Sequence, residues 1–382
     1  MMHVASLLSG AGWTALSYIV PFLFVLTIVV FFHELGHFLV ARWCGVKVKV
    51  FSIGFGPELL GFNDRKGTRW RLSAIPLGGY VRFLGDENEA GGTDRDAPAA
   101  LDPNERRLAF ASKPVAARAA IVAAGPIANF ILAIVIFTAI FSAYGRQVVS
   151  PKVDTVVAGS VAEKAGFKPA DVIVSINGEA ISTFADLQGI VSASAERPLS
   201  VVIRRDGELL TLHATPEFKD TTDPIGNKQR VGVLGITRTA TAADIVVEHY
   251  TVPQAAGAAV KETWFVVKRT VTYLVGVAAG RESADQLGGP IRVAEVSAKV
   301  ATIGVVALIN LAAILSISVG LINLFPVPML DGGHLLFFAF EAVRGKPLSD
   351  RAQDIGFRIG FVAVVALMIF ATWNDIIHLS SL

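Results

Sequence analysis

The sequence predicts a multi-span α-helical membrane protein, with about four transmembrane helices, a membrane-associated β-hairpin region and an inserted α+β domain. Of the 382 residues, 53% are hydrophobic and only 17% are charged, which is too apolar for an ordinary soluble enzyme. A helix needs about 20 apolar residues to cross a bilayer core of about 30 Å. Four segments meet this requirement, the last with its flanking residues 356–377: residues 18–42, Val115–Tyr144, 305–325 and 360–373.

Composition also restricts the class of function. The formal net charge is only +2, and no basic tract indicates nucleic-acid binding. The single cysteine, Cys44, excludes an internal disulfide framework and a cysteine-rich zinc site; we expect it to be a small apolar side chain near a helix end. No basic region precedes the N-terminal apolar run, which is untypical of a cleaved signal peptide.

The first domain, residues 1–45, is predicted to be a transmembrane helix that carries the motif His33-Glu34-Leu35-Gly36-His37. Residues i and i+4 share a helix face, so both imidazoles can bind one zinc ion with Glu34 beside it. Ionisable residues are costly at membrane depth and mark functional sites there. If the helix starts at Pro21, His33 lies about 18 Å along its axis. The motif therefore predicts a zinc hydrolase that works within the bilayer, although a five-residue pattern can also match by chance.

Basic residues predict the orientation of the chain in the membrane. Residues 1–41 contain no Lys or Arg. The segments after the first span and between the third and fourth spans are basic, so we expect both in the cytoplasm. The N-terminus, residues 146–300 and the C-terminus then lie outside, and the zinc site lies in the cytoplasmic half of the membrane.

Residues 46–114 are predicted to form a β-hairpin or re-entrant region followed by a linker. Short runs of alternating polarity are separated by glycines, including Gly78-Gly79, a pattern typical of short hairpins. Residues 86–105 are acidic and rich in Gly, Ala and Pro, which indicates a mobile linker. Residues 115–145 form the second transmembrane helix, where Gly125-Pro126 predicts a kink and Asn129 close packing.

Two segments are predicted outside the membrane. Residues 146–218 form a small globular domain, with a strand at Val172–Ile176 entering an Asn177-Gly178 turn. Residues 199–204 and 208–213 pair around a second turn at Asp206-Gly207. Residues 219–302 combine a linker with an amphipathic helix at 255–280, whose charged residues favour a position on or dipping into the membrane interface.

The last domain, residues 303–382, contains the third and fourth transmembrane helices and a candidate third zinc ligand, Asp331. A catalytic zinc ion usually has three protein ligands. Pro326, Pro328 and the glycines after Asp331 must break the helix, which membranes tolerate where the backbone is buried in protein or lines a cavity. Asp331 alone is also compatible with a helix cap. Asn323 is also compatible with a helix–helix hydrogen bond.

Taken together, these motifs resemble the site-2 proteases, specifically the bacterial intramembrane zinc metalloproteases of the regulator-of-sigma-E type, which carry a periplasmic PDZ domain. The paired signatures, His-Glu-x-x-His and Asn-x-x-Pro-x-Pro-x-Leu-Asp-Gly, are highly specific in this order, and the resemblance covers nearly the whole chain. It implies that His33, His37 and Asp331 bind one zinc ion and that Glu34 is the catalytic acid/base. It also implies a catalytic or substrate-holding role for Asn323. The predicted substrate-positioning residues are Gly78, Gly79, Pro326 and Pro328.

Residues 159–178 resemble a PDZ domain of the bacterial protease type, with two departures. The best-known relative carries two such domains in tandem, whereas this chain has room for about one. Ala170 also stands where glycine usually precedes the aspartate, here Asp171. A peptide or protein ligand of this domain is a further expected partner.

The resemblance implies an endopeptidase of the bacterial inner membrane that cleaves the transmembrane segments of single-span proteins, such as anti-sigma factors or signal-peptide remnants, in regulated intramembrane proteolysis. Two other classes remain open from the sequence. A membrane zinc transporter would need ligands along a route open to both sides, whereas here they cluster on one side. A catalytically silent PDZ scaffold would tolerate replacement of Glu34.

Overall fold

The computed structural model describes residues 2–85, 102–181, 183–222, 228–238, 245–279, 284 and 288–380. Most of the predicted linker at 86–105, and the last residue of the predicted helix at 255–280, lie outside these ranges. The chain divides into two compact units. The first comprises Met1–Phe137, Ala259–Thr263 and Gly288–Leu382, and the second comprises Thr138–Ala258 and Trp264–Leu287.

The α-helices of the described residues are, in chain order, α1 (Met2–Trp43), α2 (Pro103–Arg106), α3 (Val115–Tyr144), α4 (Val161–Lys164), α5 (Phe184–Ser192), α6 (Val252–Ala278), α7 (Pro290–Ile303), α8 (Val305–Asn323), α9 (Asp331–Arg344) and α10 (Asp350–Ser380). The strands are β1 (Val48–Asn63), β2 (Arg69–Phe83), β3 (Arg146–Val149), β4 (Thr155–Val156), β5 (Val172–Ile176), β6 (Glu179–Ala180), β7 (Leu199–Arg205), β8 (Glu208–Ala214), β9 (Glu217–Thr222), β10 (Lys228–Val233), β11 (Ile236–Thr237) and β12 (Ile245–Glu248).

Within the described residues, four helices are long and apolar enough to cross a membrane: Leu16–Trp43, Val115–Tyr144, Val305–Asn323 and Arg351–Ile377. The prediction of four apolar spans is confirmed. Two boundaries differ from those expected. Pro21 lies inside α1 rather than at its start, since membrane helices tolerate proline. The third span ends at Asn323 and not at residue 325, because the chain turns there and Val327 N–H donates to the Phe325 carbonyl at 2.7 Å.

The region after α1 is a pair of long strands rather than a series of short hairpins. β1 and β2 pair antiparallel with several register shifts, and residues 50–53 have partners in both 69–72 and 79–82. Residues 50–53 therefore lie between the two halves of β2. The irregularities coincide with Gly54 and Gly56, whose φ values of 88° and 82° are readily adopted only by glycine. The alternation in the sequence is broken at these points, which is why the strands read as shorter.

An aromatic cluster fixes this sheet against α1. Phe38 of α1 contacts Phe51 and Trp70 with ring centroids 5.5 and 5.0 Å apart, and Phe31, two turns earlier, contacts Phe51 at 5.8 Å. Aromatic pairs of this kind add about 0.5–1.5 kcal/mol to the burial of their area. Cys44 is half-buried beside the same cluster, as a small apolar side chain.

The turn between β1 and β2 is fastened to the end of α1 by Asp64. Its carboxylate accepts hydrogen bonds from the backbone of Lys66 and Thr68, from the Trp70 indole at 3.2 Å and from Arg42. Desolvation of the carboxylate raises its pKa, but the hydrogen bonds outweigh this and lower the pKa of Asp64 to about 2. The sheet is thus held to α1 at its turn as well as along its aromatic face.

The second unit contains a four-stranded sheet in the order β6-β5-β7-β8. The strand at Val172–Ile176 and the pair on either side of Asp206-Gly207 are as predicted. Buried Ile173, Ile176, Val201 and Ile203 of the sheet form a core with Leu187 of α5. Asp171 is fully buried and pairs with Arg205 at 2.7 Å.

Ala170 adopts a φ of 73°, the left-handed conformation in which glycine is favoured. A residue with a Cβ in this conformation stores backbone strain.

Helix α6 is present and amphipathic, as predicted. Its exposed large apolar side chains recur on one face, at Val260, Trp264, Val271 and Val275. It is not one of the described helices that are long and apolar enough to cross a membrane. Its position on a membrane remains a prediction.

Candidate metal centre

Helix α1 presents two chemically different faces at the level of the motif. His33 and His37 share the face that meets α3, where Gly36 lies so close that an added Cβ would be 2.2 Å from the Ala124 carbonyl oxygen. Glu34 belongs to the face that carries Phe31 and Phe38 and therefore points toward the β1–β2 sheet. All three motif side chains are buried, each 9% exposed.

The two histidines converge with Asp331 on one point. Asp331 Oδ2 lies 3.2 Å from His33 Nε2 and 3.5 Å from His37 Nε2, and the two Nε2 atoms are 3.3 Å apart. The ligand atoms of this group all lie within 4.8 Å of one another, and it is the one such group of His, Cys, Asp or Glu in the described part of the chain. The structure therefore brings together the three predicted ligands, although Asp331 lies about 300 residues after the two histidines in sequence.

Helix α3 closes one side of this group because it has no side chain at Gly125. A Cβ there would lie 2.2 Å from His37 Nε2 and 2.9 Å from His33 Cε1. Two polar groups of the same helix hold the imidazoles: the Ile121 carbonyl accepts from His37 Nδ1 at 2.9 Å, and the Asn129 amide lies 3.2 Å from His33 Nδ1. The sequence alone predicted a kink at Gly125-Pro126 and close packing at Asn129.

Asp331 reaches the histidines because the chain turns back sharply before α9. Added Cβ atoms at Gly332 and Gly333 would lie 2.2 Å from the Phe325 carbonyl oxygen and 2.4 Å from the Val327 carbonyl oxygen. Only glycine permits the loop to fold this closely onto the first turn of α9. Asp331 is the first residue of that helix, where a carboxylate is also favoured by the helix dipole.

Helix α9 is in turn tied to α3. Arg118 of α3 donates to Glu341 of α9 at 2.6 Å, with both side chains largely buried, and the guanidinium lies 4.9 Å from the centre of the Phe338 ring. This pair fixes the helix that begins with Asp331 against the helix that contacts both imidazoles.

Glu34 is placed against the edge of the sheet. An added Cβ at Gly79 would be 2.8 Å from Glu34 Cγ and 2.8 Å from the Ser52 carbonyl oxygen. The backbone of residue 79 therefore passes directly over the Glu34 side chain. Gly78 has a φ of 144°, and a Cβ there would be 2.6 Å from the Phe55 ring, so both glycines are required for this close approach.

The remaining predicted residues lie around the loop that precedes Asp331. Pro328 packs against α10, where a Cβ at Gly360 would be 1.9 Å from the Pro328 carbonyl oxygen. Pro326 is exposed and Asn323, at the end of α8, is half-buried. Among the described residues, no hydrogen bond or ion pair connects Asn323 or Pro326 to the histidines or Asp331. His334 lies beside Phe357 of α10, with ring centroids 5.4 Å apart and the ring planes tilted by 52°.

The donor set fits zinc. Two imidazole nitrogens and one carboxylate oxygen are the ligands found in catalytic zinc sites. Asp331 Oδ2 is buried and has no hydrogen-bond partner among the described residues, although it faces two ring nitrogens. A bound cation would satisfy all three atoms at once.

Comparison with known proteins identifies the family. The model of peptidase family M50 matches residues 21–367. A relative from Agrobacterium fabrum (strain C58), "Putative zinc metalloprotease Atu1380", is 50% identical over 359 residues, which cover 94% of this chain and 95% of the relative. "Putative zinc metalloprotease BR1156/BS1330_I1152" of Brucella suis biovar 1 (strain 1330) is 49% identical over 376 residues, 98% of this chain and 99% of the relative.

A third relative is named without the word zinc. "Metalloprotease MmpA" of Caulobacter vibrioides is 41% identical over 381 residues, covering 94% of this chain and 95% of the relative. The residues matched by the family model include the motif in α1 and the loop before Asp331. The chain belongs to peptidase family M50, the site-2 protease family, and is a multi-pass membrane metalloendopeptidase.

Proposed function

We propose that this protein is an intramembrane endopeptidase that holds one zinc ion with His33, His37 and Asp331 and cleaves the transmembrane segments of single-span membrane proteins. The convergence of these three side chains, two of them inside an apolar span, carries the proposal. His33 lies about 15 Å along the helix from the end of its span at Trp43, at 1.5 Å per residue. A peptide bond cleaved there would lie at membrane depth.

Different residues carry out different steps of peptide hydrolysis. Zinc, when bound, supplies a Lewis acid that polarises the scissile carbonyl and acidifies water. Glu34 accepts a proton from the attacking water and returns it to the leaving amine, as a general base and then a general acid. Asn323 donates to the substrate backbone or to the developing oxyanion, an interaction worth about 3 kcal/mol in other enzymes.

The edge of the β1–β2 sheet is proposed to hold the substrate in an extended conformation. A helical substrate hides its carbonyls in internal hydrogen bonds, so the segment to be cleaved must unwind. Residues 79–83 pair with residues 48–53 on one side and pass over Glu34 at Gly79. An unwound substrate that adds by β-augmentation to the side of this segment that faces away from β1 would therefore lie beside the general base.

A proline scan through residues 80–82 tests this role. Successive backbone N–H groups of a strand point alternately to opposite sides. Proline at a position that faces away from β1 should slow cleavage and leave zinc bound, whereas proline at a position that pairs with β1 should disturb the fold. Unchanged cleavage across the whole scan would exclude substrate pairing at this edge.

The proposed setting is the bacterial inner membrane, with the metal centre toward the cytoplasm and residues 146–218 outside. This orientation rests on the basic segments that flank the first and fourth spans. Substrates are proposed to be single-span proteins already shortened outside, such as anti-sigma factors or signal-peptide remnants. Within the outside region 146–218, residues 148–216 are the PDZ-like domain, which would exclude proteins that keep bulky external parts. Deletion of this domain should then allow cleavage of untrimmed substrates; loss of all activity would instead favour recruitment or a folding role.

Cleavage of a panel of single-span substrates by the purified protein tests the proposed activity. We expect cleavage within the transmembrane segment, its loss on addition of a chelator, and recovery on addition of zinc. Glu34→Gln should abolish cleavage and retain zinc, because it removes the proton acceptor and leaves the three ligands intact. Appreciable cleavage by Glu34→Gln would refute its assignment as the acid/base, and zinc uptake into sealed vesicles would favour a transporter.

A further inference from the structure

Asn129 of α3 is fully buried beside the metal centre. Its side-chain Nδ2 lies 3.2 Å from Nδ1 of His33. Its Oδ1 is buried and has no hydrogen-bond partner among the described residues. A buried polar atom without a partner is destabilising, so the placement of an amide here requires an explanation that close packing does not give.

His37 shows how a hydrogen bond to α3 orients an imidazole of the metal centre. Nδ1 of His37 lies 2.9 Å from the Ile121 carbonyl oxygen, which can only accept a hydrogen bond. Nδ1 of His37 therefore carries the ring proton, and the lone pair of Nε2 is directed at Asp331, 3.5 Å away. The backbone of α3 fixes both the tautomer and the rotation of this imidazole.

The same reasoning constrains His33. Its Nε2 lies 3.2 Å from Asp331 Oδ2 and is the atom available to a metal. Nδ1 must then carry the proton and needs an acceptor. An amide nitrogen cannot accept, whereas the amide oxygen can. Because the two ends of an amide have nearly the same shape, a half-turn of the Asn129 side chain brings Oδ1 to Nδ1 within the same space.

We propose that Asn129 is a positioning residue, whose Oδ1 accepts the hydrogen bond from Nδ1–H of His33 and so holds that imidazole in the tautomer and rotation that bind zinc. The inference rests on the zinc site of the proposed function. This hydrogen bond gives Asn129 Oδ1 a partner. Helix α3 then orients both imidazole ligands.

Asn129 is itself held from the opposite side by α8. Ser316 Oγ donates to the Asn129 backbone carbonyl at 2.9 Å, and Gly320, one turn later, would place a Cβ 3.2 Å from Asn129 Cβ. Small residues at this spacing let membrane helices approach closely. The acceptor for His33 is therefore fixed by the packing of α3 on α8, the helix that leads to the Asp331 loop.

Zinc affinity, measured by competition with a chelator, tests the role of Asn129 separately from proteolysis. Asn129→Leu keeps the branching at Cγ, is larger and has no acceptor, and we expect it to bind zinc about 10–100-fold more weakly, the usual effect of losing a partner behind a metal-binding histidine. Asn129→Asp keeps an acceptor oxygen and should stay within about threefold of the parent protein. Ser318→Ala is the matched control: it removes a hydroxyl of α8 that donates to the Ile314 carbonyl at 3.1 Å, and it should leave zinc affinity unchanged.

A merely structural role would give a different pattern. Parental zinc affinity in Asn129→Leu, or an Asn129→Asp variant as weak as Asn129→Leu, would overturn the proposal. If Asn129→Leu does not fold, Asn129→Ala, which cannot overfill the site, carries the same expectation and the same refutation. A parent protein that binds no zinc would refute the proposed function instead, so the two failures are distinguishable.

Discussion

Replacement of Gly125 by alanine tests whether α3 shapes the metal centre. The added Cβ would lie 2.2 Å from His37 Nε2, whereas carbon atoms in contact are about 3.5 Å from their neighbours. The imidazole must therefore retreat by about 1.3 Å, which exceeds the roughly 0.5 Å tolerance of a functional site. Misplacement of about 1 Å costs about 100-fold in rate. We expect zinc affinity to fall at least about tenfold and cleavage by about 100-fold or more.

Gly257→Ala is the matched control, because Gly257 also lies within a helix but has open space where its Cβ would be. Helix propensity alone favours alanine over glycine by about 1 kcal/mol, so the control should keep full activity and gain slightly in stability. Zinc binding is measured by chelator competition and cleavage with a single-span reporter. A residue with a Cβ is disfavoured in a helix directly before proline, so we also expect Gly125→Ala to lower the thermal stability. This strain does not by itself account for a loss of zinc affinity. Parental zinc affinity and cleavage in folded Gly125→Ala would refute the reasoning.

Three further predictions concern other parts of the chain. Gly79→Val should abolish cleavage while zinc affinity stays within about threefold, because the side chain collides with Glu34 and not with the ligands; equal loss of both would contradict it. Ala170→Gly should raise the stability of the second unit by about 0.5–1 kcal/mol by relieving a φ of 73°, measured by hydrogen exchange; unchanged or lower protection would contradict it. Since the pKa of Asp64 falls from 3.8 to about 2 on folding, its stabilisation is complete above pH 4 and is lost as the pH falls toward 2. That contribution is about 1 kcal/mol after solvent screening, and a thermal melt of Asp64→Asn should lack this part of the pH dependence.

The sequence singles out the three side chains that converge in the structure, because their chemistry conflicts with their surroundings. Two histidines and a glutamate in an apolar helix have few structural explanations, and the glycine pair after Asp331 indicates a sharp turn. Asp331 alone was compatible with a helix cap; the structure shows that it begins α9 and faces both imidazoles. Helix spans are similarly well predicted, since length and hydropathy alone determine them.

The contribution of α3 could not be predicted in the same way. Hydrophobic periodicity identifies a helix but not its neighbour, and Asn129 lies 96 residues from His33 in sequence. Gly125 precedes a proline, so a kink was the simpler interpretation. The sequence indicated only that an asparagine lies in an apolar span. Asparagine also occurs in such spans where two helices simply pack together.

The β1–β2 sheet was predicted in kind but not in extent. Its alternation is interrupted at Gly54 and Gly56, where positive φ values let the strand continue through a bulge. A sequence pattern cannot separate a bulge from a turn at such glycines. The close approach of Gly79 to Glu34 likewise depends on packing of the sheet against α1.

Metal analysis of the purified protein tests the central claim most directly. The account predicts about one zinc ion per chain in the parent protein and in Glu34→Gln, and loss of that zinc in Asp331→Ala, because three ligands from two distant helices are needed. Undiminished zinc in Asp331→Ala, or a parent protein without stoichiometric zinc, would contradict it.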